Sequence, residues 1–162
     1  MRALVVDSPL GPLTVAEQDG SISHLHWGAV HGPRGSMVLE AAREQLDAYF
    51  LGRLQSFNLP LAPRGTPFRQ RVWQEMCNID YGCTKTYGEL AALAGGSAQS
   101  VGTSCGENPI PIIIPCHRVI AAGGGMGGYS GEGGLKTKRY LLDLEGWTGL
   151  SPGPLFAATA HV

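Results

Sequence analysis

Apolar and polar positions in the first part of the chain predict a small antiparallel sheet. Two apolar runs, residues 2–6 and 13–16, lie on either side of the turn-forming sequence Ser-Pro-Leu-Gly-Pro at residues 8–12. This arrangement is typical of a β-hairpin. Residues 22–27 (Ile-Ser-His-Leu-His-Trp) then alternate apolar with polar side chains, which favours a third strand with one face toward solvent.

One helix and one further strand are predicted after this sheet. Apolar residues recur at helical spacing from Met37 to Phe50, and Gly52 lies where a glycine commonly terminates a helix. Residues 57–61 (Phe-Asn-Leu-Pro-Leu) favour a strand at the sheet edge, because their proline cannot donate a ladder hydrogen bond. We therefore expect an α/β domain at residues 1–63.

The pattern after residue 64 is mainly helical. Thr66 and Pro67 form an N-cap and first-turn pair, and apolar residues recur on one face of the helix that follows. Residues 87–94 predict a second helix, stopped by two glycines, and Ser97 can cap a third that runs to about Cys105. Two short helices joined by a glycine turn are typical of a helix-turn-helix, although helical hairpins are also common in proteins that never contact DNA.

A last amphipathic helix is predicted at residues 135–144, ended by Gly146. Its basic residues, the densest such cluster in the chain, are Lys136, Lys138 and Arg139. We expect them on a solvated face from which they could reach phosphate. Residues 147–162 are rich in Gly, Pro, Ala and Ser and are expected to form a flexible tail.

Composition narrows the classes of function. The 162 residues are 43% hydrophobic and 15% charged, with a net charge of −1, so the chain can bury a core but is not the strongly basic protein that would by itself indicate nucleic acid. Any DNA binding must use a local basic patch and backbone amides, and should be sensitive to salt. With no signal-peptide pattern and no membrane-length apolar stretch, we expect a soluble, cytoplasmic protein.

Cysteine and histidine spacing does not favour a metal centre or disulfides. The four cysteines form no CxxC pair, so reduced thiols are the simplest expectation. His24 and His26 would share one face of the third predicted strand, and His31 follows. Such a pair can bind a metal, but no cysteine or carboxylate is placed near it, so an exposed polar face is preferred.

Residues 108–119 (Asn-Pro-Ile-Pro-Ile-Ile-Ile-Pro-Cys-His-Arg-Val) form the most distinctive stretch of the chain. Its three prolines exclude a long helix, and residues 112–114 favour a short buried strand or an extended segment through the core. The chain then presents Cys116 and His117 side by side. A cysteine nucleophile needs such a neighbour because the thiolate is the reactive form, although a small buried cysteine is also a common core residue.

The Pro-Cys-His-Arg-Val sequence, preceded by Asn-Pro-x-Pro-Ile-Ile-Ile, resembles the active-site signature of the O6-alkylguanine-DNA alkyltransferases, also called methylated-DNA–protein-cysteine methyltransferases. The similarity covers most of the C-terminal two thirds of the chain. Its other segments are Gly65-Thr66-Pro67-Phe68, Tyr81-Gly82, Tyr87-Gly88-Glu89-Leu90-Ala91, Tyr129-Ser130-Gly131 and residues 141–146. The Ser-Pro-Leu-Gly-Pro-Leu sequence near the N-terminus is also similar to the variable α/β domain of the family.

This resemblance implies a fold and a reaction. The fold would be a small α/β sheet domain at residues 1–63, a mainly α, winged helix-turn-helix-like domain at residues 64–146, and the tail. The reaction would be irreversible, stoichiometric transfer of an alkyl group from the O6 of guanine to a cysteine of the protein itself. Because that group is buried in a duplex, the base must be flipped into a pocket. The partner would be double-stranded DNA containing O6-alkylguanine, the protein would be a monomer, and no cofactor or metal is implied.

The resemblance also implies catalytic roles. Cys116 would be the alkyl acceptor. His117, acting through a water and oriented by Glu145, would take the thiol proton. Asn108 would hold the active-site loop and help to position this network.

Four further residues would bind the flipped base by the same resemblance. Tyr87 would lie at the phosphate 3′ to the base and donate a proton as the guanine leaves. Tyr129 would form one wall of the pocket, and backbone groups of Val119 and Ser130 would read the guanine edge.

The residues expected to contact DNA are Ser97, Gln99, Ser100 and Arg118. The family places an arginine at the position of Gln99, where it enters the base stack and fills the space of the flipped nucleotide. Glutamine is shorter and uncharged, so it should stabilise the flipped state less. Residues 95–101 are also about two residues shorter than the family pattern, and the loop after Tyr129 is two residues longer.

These departures leave other functions open. One is a sensor of alkylated DNA that transfers poorly, although retention of Cys116, His117 and Glu145 argues against it. Another is an alkyl acceptor with an altered substrate, such as another lesion, a free base or a small molecule. A cysteine hydrolase is less favoured, because no oxyanion-hole motif accompanies the Cys-His pair.

Overall fold

The computed structural model describes residues 1–33, 35–129 and 131–149. Their internal contacts divide the chain into two compact units. The first comprises Met1–Gly65 together with Pro109–Ile113, and the second comprises Thr66–Asn108 and the chain from Ile114 onward.

A three-stranded antiparallel sheet in the order β1-β2-β3 forms the first unit. The strands are β1 (Arg2–Val6), β2 (Leu13–Gln18) and β3 (Ser21–Trp27), which confirms the predicted sheet. Asp19 and Gly20 join β2 to β3 with positive φ angles of 53° and 82°, the conformation that favours Asp-Gly in a tight hairpin turn.

Helix α1 (Met37–Phe50) packs on β1 and β2. The Ser36 side chain accepts a hydrogen bond from the Leu39 N–H at its start, and Gly52 follows its C-cap with φ 74°. Its inward face is apolar; the buried residues are Leu39, Ala42, Leu46 and Tyr49. The apolar spacing and the terminal glycine therefore predicted this helix correctly.

The edge strand predicted at residues 57–61 is wrong for the described chain. Leu61 makes an isolated parallel bridge to Ile22, accompanied by hydrogen bonds from Ile22 N–H to the Pro60 carbonyl and from Ala62 N–H to the Ile22 carbonyl. Pro60 has no N–H with which to extend the ladder.

Residues 109–113 belong to the first unit, where Leu25 N–H donates to the Pro109 carbonyl over 2.9 Å. Residues 112–114 form neither the short strand nor the extended segment predicted for them, since Ile112 and Ile113 form a turn and Ile112 has φ 73°. A β-branched residue at positive φ is strained by about 1–3 kcal/mol. The predicted burial is correct, because the three isoleucines are 5% exposed or less.

The second unit is mainly helical. Its helices are α2 (Pro67–Cys77), α3 (Tyr87–Ala94), α4 (Ala98–Gly106) and α5 (Leu135–Leu144). The first three pack against one another, and α3 and α4 are the predicted helix-turn-helix pair. A two-residue parallel ladder joins β4 (Lys85–Thr86) to β5 (Val119–Ile120), so the start of α3 lies beside the Cys-His segment.

Side-chain caps start three of these helices. Thr66 accepts from Arg69 N–H, as predicted. Thr86 and Ser97 each form a reciprocal capping box at the start of α3 and α4. Such boxes satisfy backbone donors that a helix leaves without partners.

Two tryptophans hold the second unit together. Trp73 on α2 is 2% exposed and donates from Nε1 to the Ser104 carbonyl on α4 over 2.9 Å. Trp147 packs with Ile120 and Leu142 and so secures α5 against β5. The flexible tail predicted to begin at residue 147 is therefore wrong at that residue, and residues 150–162 lie outside the described chain. No helix in the described segments has the length and apolar character needed for a membrane crossing.

Candidate active site

Cys116 is the first residue of a 3₁₀ turn, Cys116–Arg118. It is 6% exposed and lies at the wall of a cavity of about 420 Å³. The other residues lining this cavity are Tyr87, Gly102, Cys105, Gly106, Gly128 and Tyr129. The thiol is thus shielded from bulk water while facing a space large enough for a small ligand.

Burial raises the pKa of the Cys116 thiol above its ordinary value, against the opposing effects of a hydrogen bond from Asn108 and the charge of Lys138. Asn108 also donates from Nδ2 to the Ile114 carbonyl over 2.8 Å. Asn108 therefore ties the Cys116 segment to the end of α4. Because Cys116 is a thiol at neutral pH, it needs a base before it can act as a nucleophile.

His117 and Glu145 form a buried pair. Nε2 of His117 lies 2.7 Å from Oε2 of Glu145, and both side chains are 0% exposed. Burial lowers the pKa of His117, outweighing the hydrogen bond from Glu145 that raises it. Burial by itself would raise the pKa of Glu145, but His117 and Arg118 together lower it to about 2.

The ionised state of Glu145 determines the tautomer of His117. An ionised carboxylate can only accept hydrogen bonds, so Nε2 carries the proton and Nδ1 keeps a lone pair. Nδ1 is buried and has no hydrogen-bond partner among the described residues. The neutral ring can therefore accept a proton at Nδ1 while Glu145 stabilises the cation that results.

Arg118 faces inward. Its Nε and Nη2 atoms donate to the two oxygens of Glu145 over 2.8 and 3.1 Å, and Nη1 donates to the Ile79 carbonyl over 2.6 Å. With an exposed fraction of 7%, this guanidinium is not available to a DNA phosphate. Arg118 is therefore not the DNA contact that was expected. Its role is structural, because its guanidinium keeps Glu145 ionised.

Glu145 is the C-cap of α5, and the end of this helix lies beside His117. Gly82 N–H donates to its Oε1 over 3.4 Å, and the Tyr81 hydroxyl donates to the Leu144 carbonyl over 3.3 Å. Gly82 has φ 79°, and a Cβ there would lie 3.0 Å from the Glu145 carbonyl oxygen. The Tyr-Gly turn therefore needs glycine in order to approach the end of α5 closely.

Lys138 lies inside the second unit, which contradicts the solvated face predicted for it. Its Nζ donates to the carbonyls of Val119, Met126 and Gly128 over 2.6, 2.5 and 3.0 Å, and the residue is 0% exposed. Burial lowers its pKa to about 8, against Cys116 and Cys105, which raise it. Lys138 is spaced three and seven residues from Leu141 and Glu145, the spacing of one helix face, and this signal could have revealed its burial.

Tyr87 and Tyr129 both line the cavity. Burial raises the pKa of both phenols, so each keeps its proton at neutral pH. A backbone hydrogen bond from Gly128 also reaches Tyr87. Val119 is buried, and its carbonyl accepts from Lys138; Ser130 lies outside the described residues.

Cys105 is a cavity residue that sequence reasoning missed. Burial raises the pKa of this thiol, and the neighbouring Cys116 adds to the effect. Cys105 therefore stays protonated beside the proposed nucleophile. No pattern in the sequence distinguishes it from an ordinary helix residue.

Helix α4 carries the other residues expected at DNA. The hydroxyls of Ser97 and Ser100 are used in the capping box at its start. Gln99 is exposed, and its spacing of three and seven residues from Gly102 and Gly106 places it on the helix face that lines the cavity.

The histidines of β3 form no metal cluster in the described chain. The rings of His24 and His26 stack with centroids 5.3 Å apart. Burial lowers the pKa of His24, and His26 and Arg64 add to this effect. No group of three potential ligands was found among the described residues.

Known proteins resemble the chain over nearly its whole length. Residues 1–63 match the family model for the ribonuclease-like domain of 6-O-methylguanine DNA methyltransferase, and residues 67–147 match the model for its DNA binding domain. The methylated-DNA–protein-cysteine methyltransferase of Mycobacterium bovis is 45% identical over 154 residues, which cover 86% of this chain and 89% of the relative. That of Methanosarcina barkeri is 42% identical and covers 87% and 94%.

Solved structures show the same fold. The crystal structure of Mycobacterium tuberculosis OGT in complex with DNA matches with a TM-score of 0.81 and 40% identity, covering 94% of this chain and 96% of that one. The fold prediction of a small sheet unit followed by a helical unit is thereby confirmed. By sequence and by fold, the chain belongs to the O6-alkylguanine-DNA alkyltransferase family.

Proposed function

We propose that this chain repairs DNA by moving an alkyl group from the O6 of guanine to the sulfur of Cys116. DNA repair by alkyl transfer to a cysteine of the protein itself is the activity of the family to which the chain belongs. The observation that supports Cys116 as the acceptor is its position at the cavity wall, next in sequence to a His117 that Glu145 holds in the base tautomer.

The proposed reaction begins with proton removal. Nδ1 of His117 takes the Cys116 proton, directly or through a water, and the ionised Glu145 stabilises the imidazolium. The thiolate then attacks the alkyl carbon. A C–S bond forms, the C–O6 bond breaks, and its electron pair remains on the guanine, which takes a proton from the Tyr87 phenol. The product thioether is not a leaving group, so each molecule acts once.

Asn108 and Lys138 would assist by lowering the free energy of the thiolate. Both lower the pKa of Cys116, the first by a hydrogen bond and the second by its charge. Because burial has the opposite and larger effect, this assistance does not generate a free thiolate. It makes proton transfer to His117 less unfavourable.

The partner is double-stranded DNA that contains O6-alkylguanine. We propose that residues 64–146 carry DNA binding and chemistry, that residues 1–63 form a supporting α/β domain, and that the protein acts as a monomer. The DNA-binding family model on residues 67–147 supports this division. Since the substrate is genomic DNA, we place the protein in the cytoplasm, where it meets the nucleoid.

The decisive experiment is intact-mass spectrometry after incubation with a duplex that contains one O6-methylguanine, followed by mapping of the modified peptide. We expect one methyl group on the peptide that contains Cys116. Cys116→Ala should abolish transfer and keep the fold, whereas Cys83→Ala should transfer normally. A methyl group on another cysteine would overturn the assignment of Cys116. Binding without any adduct would favour a sensor of alkylated DNA.

A further inference from the structure

Cys105 is a second cysteine at the wall of the cavity, and the proposed transfer reaction does not use it. It shares the cavity with Cys116, whereas Cys77 and Cys83 do not line it. All four cysteines are free thiols. An unused thiol beside a nucleophilic one is the arrangement from which an intramolecular disulfide forms once the nucleophile has been oxidised.

Asn108 contacts the segments that carry both cysteines. Its backbone N–H donates to the Cys105 carbonyl over 3.3 Å, and its side-chain amide donates to the Ile114 carbonyl over 2.8 Å. The same side chain forms a hydrogen bond to the Cys116 thiol, which lowers the pKa of that thiol. An ionised Cys116 in turn raises the pKa of Cys105. The two thiols therefore belong to segments that meet around one residue.

Cys105 lies in the last turn of α4, where the backbone of a helix adjusts most easily. The helix ends at Gly106, and Glu107 is its C-cap. A disulfide requires its two Cβ atoms to lie about 3.5–4.5 Å apart. Helix ends fray, and a Cβ built at Gly106 would meet no atom within 4 Å, so the turn is not held by packing at that position. A local movement of this turn can therefore bring the Cys105 sulfur to Cys116 across the open cavity.

The reactivity of Cys116 also makes it sensitive to small oxidants. The cavity of about 420 Å³ admits a molecule as small as hydrogen peroxide. The thiolate that His117 generates is the form that peroxide oxidises, and the first product is a sulfenic acid. Oxidation beyond it, to sulfinic acid, is irreversible for most proteins, whereas a disulfide can be reduced again.

We propose that Cys105 and Cys116 form a reversible disulfide when hydrogen peroxide oxidises the acceptor, and that this bond protects Cys116 from irreversible oxidation. The inference goes beyond the proposed function, because it assigns a second reaction to the same thiol in the absence of DNA.

Two steps lead to the disulfide. In the first, the Cys116 thiolate attacks one peroxide oxygen, the O–O bond breaks, and the released hydroxide takes the proton held by His117 to become water. In the second, the Cys105 sulfur attacks the sulfenic sulfur. An S–S bond forms, the S–O bond breaks, and the departing hydroxide takes the Cys105 proton as a second water. The two thiols lose two electrons in total, and the peroxide gains them.

Peptide mapping tests the bond directly. The protein is treated with hydrogen peroxide, free thiols are blocked with iodoacetamide, and the digest is analysed without reduction. In the wild type we expect the peptide that contains Cys105 to be linked to the peptide that contains Cys116. In Cys105→Ala, the Cys116 peptide should instead carry the two added oxygens of sulfinic acid. Cys77→Ala, which removes an exposed thiol, should behave as the wild type does.

Recovery of transfer gives a second measurement. Each protein is treated with peroxide, reduced with dithiothreitol and incubated with a duplex that contains O6-methylguanine, and its transfer is compared with that of its own untreated sample. The wild type and Cys77→Ala should regain most of their transfer, whereas Cys105→Ala should regain about a tenth or less. Melting temperatures show whether each variant is folded, and Cys105→Ser takes the place of Cys105→Ala if the latter unfolds.

The outcomes separate this inference from the proposed function, because mapping the disulfide requires no alkyl transfer. A disulfide from Cys116 to Cys77 or Cys83 would overturn the inference alone. So would sulfinic acid at Cys116 that forms as fast in the wild type as in the Cys105 variants. A protein that forms the Cys105–Cys116 disulfide but transfers no methyl group when reduced would overturn the proposed function and support the inference.

Discussion

Nε2 of His117 lies 2.7 Å from Oε2 of Glu145, and both side chains are fully buried. This contact decides which nitrogen of the ring can act as a base. The carboxylate, with its pKa lowered to about 2, stays ionised and accepts a hydrogen bond from Nε2–H, so only Nδ1 can take a proton from a neighbouring thiol.

Replacing this carboxylate should impair both transfer and folding. Glu145→Gln leaves the imidazolium and the Arg118 guanidinium without a negative partner, so single-turnover transfer should slow by about 10²–10⁴-fold. Breaking a buried ion pair should also lower the free energy of unfolding by about 3–5 kcal/mol. Quenched mass spectrometry and urea unfolding measure the two effects. Glu44→Gln, at an exposed position on α1, should change neither.

The transfer rate should be nearly independent of pH in the neutral range. Burial lowers the pKa of His117 below its ordinary value of 6.5 and raises that of Cys116 above 9.0. Between these limits the base is neutral and the thiol is protonated, so the reacting form stays fully populated. Single-turnover rates should therefore form a plateau that begins below pH 6.5 and ends near pH 8, where Lys138, with its pKa lowered to about 8, loses the charge that assists the Cys116 thiolate. A loss of rate centred at 6.5 would show instead that His117 titrates as a solvated imidazole.

Stability should depend on Glu145 at acidic pH. Its pKa is lowered from 4.5 in the free side chain to about 2 in the folded protein, so the unfolded chain binds more protons between these values. The stabilisation by the ionised Glu145 is complete above about pH 4.5 and is lost as the pH falls through 2. It contributes about 3 kcal/mol to the free energy of unfolding. Urea unfolding from pH 7 to 2 measures it. Glu145→Gln should weaken the dependence of the unfolding free energy on pH in this acidic range. If that dependence is unchanged, Glu145 is not the group with the lowered pKa.

Lys138 should be more important for stability than its neighbour Lys136. Lys138→Met leaves the carbonyls of Val119, Met126 and Gly128 without their shared donor, which should cost about 1–3 kcal/mol of unfolding free energy. Lys136→Met, on the exposed side of α5, should stay within about 0.5 kcal/mol. Equal effects of the two substitutions in urea unfolding would mean that the three hydrogen bonds contribute little.

Gln99→Arg should increase transfer from duplex DNA more than from free O6-alkylguanine. An arginine at this exposed position of α4 can fill the space of a flipped nucleotide and neutralise phosphate charge. A free base needs neither effect. Gln74→Arg, at an exposed position on α2, controls for added charge. Equal acceleration by both variants would assign the gain to charge alone, and unchanged rates would show that Gln99 does not lie in the flipped-base position.

Local interactions made the helices predictable from the sequence. Thr66 with Pro67, and Ser97 with Ser100, act within one turn of backbone, so their residue types alone indicate where α2 and α4 begin. Gly52 ends α1 for a similarly local reason. The adjacent Cys116 and His117, and the family motif around them, likewise required no tertiary information.

The roles of charged residues were decided by tertiary structure. Arg118 has no local pattern that distinguishes a solvated cation from a buried one, and the helical spacing of Lys138 indicates its inward face but not the partners of its charge. Arg118 is buried because Glu145, 27 residues away, meets it with a carboxylate, and Lys138 because three carbonyls surround its ammonium group. A buried charge is stable only where partners from distant parts of the chain compensate its lost hydration.

The path of the chain to the nucleophile also required the folded structure. Apolar character predicted the burial of Ile112 correctly, but not its positive φ of 73°. That conformation is unfavourable for an isolated β-branched residue and persists only where surrounding packing compensates for it. Sequence thus determined the elements whose causes lie within a few residues, while tertiary packing decided the positions whose stabilising partners are distant in the chain.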